Sequence, residues 1–144
     1  MNYTVYDSTT GEIQHVFTSQ DPELVAQNLQ GLTYIAGDYN SKDYYIVDQQ
    51  PVVKPVVPEV AGHVYKFDYA QRAWQLDIAK TQTASRQLRN NLLSAVDRIN
   101  PVWYSSLTSQ QQSELSQYRQ CLLDVPQQPG WPESVSWPRQ PTWL

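Results

Sequence analysis

The chain has 144 residues, a formal net charge of −4, and only 17% charged residues against 12% aromatic ones. That length fits one domain, or one domain with an appended hairpin. The charge pattern argues against nucleic acid, because Arg86, Arg89, Arg98, Arg119 and Arg139 are scattered among carboxylates and form no basic stripe.

No window approaches the ~20 apolar residues of a membrane span, and no N-terminal stretch reads as a signal peptide. The single cysteine, Cys121, has no partner for an internal disulfide, which fits a reducing cytoplasm. A surface poor in charge and rich in Gln, Ser, Asn and Tyr suits protein–protein contact.

The first elements are short strands. Tyr3 and Val5 alternate with polar residues, Ser8 to Gly11 forms a turn, and Ile13, His15 and Phe17 share one face of a return strand. Asp21-Pro22 opens a short helix as N-cap and first residue. Leu24, Val25 and Leu29 are expected to face inward, and Gly31 to close the helix. Strands over Leu32 to Tyr39 and Tyr44 to Asp48 flank the turn formers Asn40 to Asp43.

Pro51-Val-Val-Lys-Pro-Val-Val-Pro58 cannot be a central strand and reads as an extended linker or an edge. A domain boundary is placed over 51–62, between an N-terminal β-rich domain (1–50) and a C-terminal domain (63–144).

After the linker, Val64 to Asp68 and Ala73 to Asp77 form a second hairpin with Trp74 as anchor. The period then changes. Ala84, Leu88, Leu92, Ala95, Val96 and Ile99 recur at helical spacing, and Asn100-Pro101 stops that helix. A loop from Val102 to Leu107 holds Trp103 and Tyr104. Thr108 with Gln111 has the form of a capping box and starts a second helix, whose stripe is Leu115, Tyr118, Leu122 and Val125. Matched helices and a short loop predict an antiparallel helical hairpin. The fold class expected is α+β.

Chemistry-bearing constellations are weak. His15 and His63 lie far apart and in no metal-ligand spacing, so no metal is expected. Cys121 beside Leu122 reads as a buried structural thiol. Asp43/Asp48 and Asp68/Asp77 flank turns, where Asp serves the backbone. Neither a phosphate-cradling glycine loop nor a nucleophile elbow is present. The expectation is a non-enzyme without cofactor.

The C-terminal stretch Gln127 to Leu144 is different. It carries Trp131, Trp137 and Trp143 among prolines, so it cannot be a helix. Two readings stand. The tryptophans fill grooves on the helical hairpin, or they dock a partner, with proline lowering the entropy lost on binding. A split between the two places Trp131 and Trp137 inside and Trp143 outside.

Several runs occur together: Phe67, Trp74 and Asp77; Arg86, Arg89, Leu92-Leu93 and Asp97; Leu107-Thr108, Gln111 and Leu115; Tyr118-Arg119-Gln120, Leu122 and Asp124-Val125-Pro126; Gln128-Pro129-Gly130-Trp131-Pro132; and Val135 to Pro141. In this combination, over roughly Val64 to Pro141, the chain resembles the tail-fibre assembly and tail assembly chaperone proteins of tailed bacteriophages. Cys121 stands where a small residue is more usual, and Trp131 where Phe is commoner.

The resemblance implies a helper that binds a phage tail fibre or tail tip protein in the host bacterial cytoplasm. Its alternative is a permanent structural component retained in the virion tail. A homo-oligomer is also allowed for, while nucleic acid and membrane are not expected partners. The docking residues expected are Trp74, Trp103, Tyr118, Arg119, Trp131, Trp137, Pro138, Pro141 and Trp143.

Overall fold

In the computed structural model, which describes residues Met1–Leu144, β1 (Asn2–Tyr6) lies between β2 (Ile13–Thr18) and β3 (Tyr34–Ala36), both antiparallel to it. Successive side chains of a strand point to opposite faces, and Thr4, Val5 and Tyr6 are all buried, so this end of β1 is covered on both faces. The Thr4 hydroxyl stays satisfied there: it donates to the Gly37 carbonyl (2.9 Å) and accepts from the Tyr39 N–H (3.1 Å).

The single face expected for Ile13, His15 and Phe17 does not form. Val5 pairs with His15 but Tyr6 pairs with Ile13, so Gln14 is an extra, bulged residue. A bulge breaks the period of two, and it leaves Ile13 buried while His15 is exposed.

Helix α1 (Pro22–Leu29) starts as expected, with the Asp21 carboxylate accepting from the Glu23 N–H at 2.9 Å. It ends at a turn in which the Leu32 N–H reaches the Leu29 carbonyl and Gly31 takes φ +74°. Only Leu29 is buried. Leu24, expected inside, is exposed, because eight residues make two turns and one buried contact suffices to hold them.

The next hairpin is one the sequence concealed. β4 (Tyr44–Val47) pairs not with β3 but with β5 (Gln50–Val53), through a two-residue turn at Asp48-Gln49. Both turn residues have positive φ (50° and 62°), the requirement of the tight hairpin turns usually met by Asn-Gly. Pro51 is tolerated opposite Ile46 because the Ile46 N–H points the other way and donates to the Gly11 carbonyl (2.9 Å). That approach depends on glycine: a Cβ on Gly11 would stand 2.1 Å from the Ile46 carbonyl oxygen. Tyr6, Ile13 and Ile46 form the buried cluster that results.

The hairpin of β6 (Tyr65–Asp68) and β7 (Ala73–Leu76) forms as expected. By contact, the chain divides into two units: Met1–Pro58 with Phe67–Gln75, and Glu59–Lys66 with Leu76–Leu144. The tip of this hairpin therefore belongs with the N-terminal strands.

Its anchor there is Lys54, which is 9% exposed. The ammonium donates to the Ser41 carbonyl (2.6 Å) and to the Tyr69 hydroxyl (3.1 Å). It also lies 4.8, 5.1 and 5.6 Å from the ring centres of Phe67, Tyr69 and Trp74. Trp74 itself donates to the Pro55 carbonyl at 2.7 Å. Burial lowers the Lys54 pKa against the opposing pull of Glu12 and Asp43.

In the second unit, α2 (Ile78–Asp97) is held at its start by small hydroxyls rather than apolar side chains. Thr81 Oγ1 accepts from the Val64 N–H (3.0 Å) and donates to its carbonyl (3.2 Å), while Ser85 donates to the Gly62 carbonyl (3.1 Å). The predicted loop after α2 is instead a short helix, α3 (Pro101–Ser105). Asn100-Pro101 both stops α2 and starts α3, with Asn100 Oδ1 accepting from the Val102 and Trp103 N–H groups and proline taking the first helical position. The capping box of Thr108 and Gln111 is present in both directions and opens α4 (Ser109–Leu123).

Lys54→Ala is expected to lower stability by about 1–3 kcal/mol, the range for charge-assisted hydrogen bonds and cation–π contacts. Lys54→Met, which keeps the aliphatic stem, should lose less. Urea denaturation of both variants checks this, and a Met variant weaker than Ala would show that the stem does not pack.

Candidate functional site

The core of the second unit is Val96 from α2 with Leu115, Tyr118 and Leu122 from α4, flanked by Leu92, Leu93, Ile99, Trp143 and Leu144. Asp97 at the end of α2 meets Arg119 in mid-α4, and Arg86, roughly three turns earlier, meets Trp131 beyond α4. Contacts that move back along α2 as they move forward past α4 mean the two run antiparallel.

Past α4 the chain makes a 3₁₀ turn, Val125–Gln127, and is then clamped by one side chain. The Gln128 amide donates to the Ser136 carbonyl (2.8 Å) and accepts from the Ser136 N–H (2.9 Å). It thereby imitates a strand partner and closes the loop that holds Trp131. The Arg86 guanidinium covers the Trp131 ring at 4.7 Å. Trp131 is followed by a cis bond to the buried Pro132, and its indole N–H is buried without a partner.

The arm then returns along α4. Trp143 packs on the core and its indole N–H donates to Glu114 Oε2 at 2.6 Å. Gln140 donates to the Leu144 carbonyl (3.0 Å), which fixes the end of the arm.

Between α4 and this arm lies a groove of about 870 Å³, with Tyr118 and Cys121 on the helix side and Trp137, Pro138, Arg139 and Pro141 on the other. Tyr118 is 6% exposed and is among the residues that line the groove, and its hydroxyl makes no hydrogen bond within the chain. Burial raises the pKa of that phenol, so it stays a neutral donor. Arg139 is exposed and has no carboxylate partner. Its lining mixes aromatic and proline side chains with polar ones, the composition of grooves that take extended peptides.

The expected docking residues separate into groups. Tyr118, Trp137, Pro138 and Pro141 meet at the groove. Arg119 turns away from it and pairs with Asp97 (2.8 Å), which raises its pKa. That pair is exposed and contributes little. Trp131 is enclosed by its loop. Trp143, read as external, packs inward, because its indole finds both an apolar bed and the Glu114 acceptor. Trp103 on α3 is 40% exposed, its ring 6.3 Å from that of Trp143. Trp74 lies in the other unit.

Cys121, read as buried, is exposed at the groove, because Leu122 takes the inward position on α4. Gln128 belongs to a run that carries the resemblance but is not read there as a clamp, and Glu114 is not singled out, because each finds its partner only once the chain folds back. No group of three His, Cys, Asp or Glu is placed to hold a metal ion.

Residues 82–142 match the family model described as phage tail assembly chaperone protein. The C-terminal segment thus carries the pattern of the phage tail assembly chaperone family. The match takes in most of α2, all of α3 and α4, the clamped loop and the groove, and leaves out the β6–β7 hairpin to which the resemblance extended. A tail assembly chaperone family is not an enzyme family. No curated protein matches the chain significantly, and no solved structure does.

Trp143→Ala is expected to cost about 2–4 kcal/mol, somewhat below a fully buried Trp truncation because the ring is half-covered. Glu114→Gln, which keeps a neutral acceptor, should cost less. Chemical denaturation measures both, and a Trp143 variant as stable as wild type would place that ring outside the core.

Proposed function

We propose that the protein binds a phage tail fibre or tail protein during virion assembly in the host cytoplasm, and assists its folding, trimerisation or attachment. The observation that carries the reading is the position of the groove. Every residue that lines it falls within 82–142, the segment that matches the tail assembly chaperone family.

The physical need is clear. Long β-rich fibre trimers depend on non-local pairing, fold slowly and expose strand edges meanwhile. A helper with a preformed groove can hold an extended segment of such a chain without first folding itself, which limits the entropy lost on binding. Tyr118 and Arg139 supply polar contacts and Trp137 the apolar one. No step in this role makes or breaks a covalent bond. No helix of the protein is long and apolar enough to cross a membrane.

The test is co-expression with the tail fibre protein of the same phage, followed by size-exclusion chromatography with mass determination. Co-elution, and a soluble fibre trimer only when this protein is present, is the expected outcome. Trp137→Ala should weaken the complex by about 1.4–2.8 kcal/mol, ten- to a hundredfold, with the circular dichroism unchanged. A fibre that trimerises unaided while this protein elutes separately would refute the reading.

A further inference from the structure

A second feature of the chain matches the groove in chemistry. Residues 55–60, Pro55-Val-Val-Pro-Glu-Val60, belong to no helix or strand and are all exposed, Val56 at 93%. The stretch is tethered at both ends. The Pro55 carbonyl accepts from Trp74, and the Val60 carbonyl accepts from the His63 N–H. Prolines three apart put both rings on one side of a polyproline II helix and hold it extended at about 3.1 Å per residue. Such a backbone has no internal hydrogen bonds, so its carbonyls are open to a donor.

We propose that the groove beside α4 takes the Pro55–Pro58 segment of a second copy of this chain, and that reciprocal exchange closes a dimer. Aromatic and proline side chains are what proline-rich ligands pack on, and Trp137, Pro138 and Pro141 line this groove. The unpartnered Tyr118 hydroxyl is the donor that an open carbonyl needs. Charge agrees as well: Glu59 directly follows the motif, Arg139 stands at the groove, and neither has an ion-pair partner within the chain, whose one salt bridge is Arg119–Asp97.

Two identical contacts, each giving one segment and receiving one, make a closed two-fold assembly rather than a filament. An incoming tail-protein segment would then compete with the partner copy's linker. The inference rests on the groove being a docking site, as the proposed function does, but not on the identity of the tail protein.

Light scattering after size-exclusion chromatography, from low micromolar to several hundred micromolar protein, should give a concentration-dependent dimer. A fluorescein-labelled peptide of residues 51–62 should bind the full-length protein, and excess unlabelled peptide should return the dimer to monomer. The double variant Pro55→Ala/Pro58→Ala and the variant Tyr118→Phe, which keeps the ring packed, should each raise the dimer dissociation constant at least about tenfold, with unchanged circular dichroism. A monomer at all concentrations, a dimer indifferent to both changes, or a peptide that does not bind would each overturn the proposal. So would a peptide that binds only the double variant, since the segment would then be filling its own groove. Whether the proline variant still captures the tail fibre protein tests the proposed function separately.

Discussion

One amide governs the C-terminal segment of this protein. Gln128 gives its N–H to the Ser136 carbonyl and takes the Ser136 N–H in return, so both backbone polar groups of Ser136 are met where the chain forms neither helix nor sheet ladder. With that loop closed, Trp131 is held under Arg86 and the arm from Trp137 onward is aimed back along α4. Without the return there is no second wall to the groove, and Tyr118 is an ordinary half-apolar helix residue. The groove is therefore a product of the clamp rather than of any one tryptophan.

The same economy of apolar material appears elsewhere. Thr81 and Ser85 occupy the buried start of α2, where a larger core would have leucine. Their hydroxyls bond the backbone at Gly62 and Val64, and the closeness this needs leaves no room for a side chain at Gly62, where a Cβ would meet Ser85 Oγ at 2.7 Å. In the N-terminal unit Lys54 does a similar job beneath three aromatic rings. Each unit is thus held by a few directional contacts added to a small buried cluster. That leaves aromatic and proline side chains at the surface.

Much of the secondary structure was legible because it follows from local chemistry. Asp21-Pro22, Thr108 with Gln111, and Asn100-Pro101 are stop and start signals whose meaning lies within four residues; the first two act as read, while Asn100-Pro101, read only as a stop, also starts α3. The errors came where the deciding contact was distant. Gln14 bulges because β1 pairs with β2 in a shifted register. Pro51 sits in an edge strand, one of the two states read for that stretch, but its pairing with β4 was not read. Asp48-Gln49 makes a tight hairpin turn without the usual glycine, since the pairing of β4 and β5 holds both residues at positive φ. The site was half legible for the same reason: the Pro/Trp stretch marked itself by composition, whereas the clamp between Gln128 and Ser136 and the Glu114 acceptor for Trp143 did not.

By itself the sequence determined the α+β class, the capped helices, and a C-terminal segment bearing the tail assembly chaperone pattern. Those depend on spacing, capping and composition, which act over a few residues or as a pattern. Only the tertiary structure decided which tryptophans face inward, that Cys121 faces solvent, and that Tyr118 keeps an unmet donor at a groove. Such outcomes are set by where a returning chain lays its backbone, and a side chain's exposure is fixed only once its neighbour across the fold is in place.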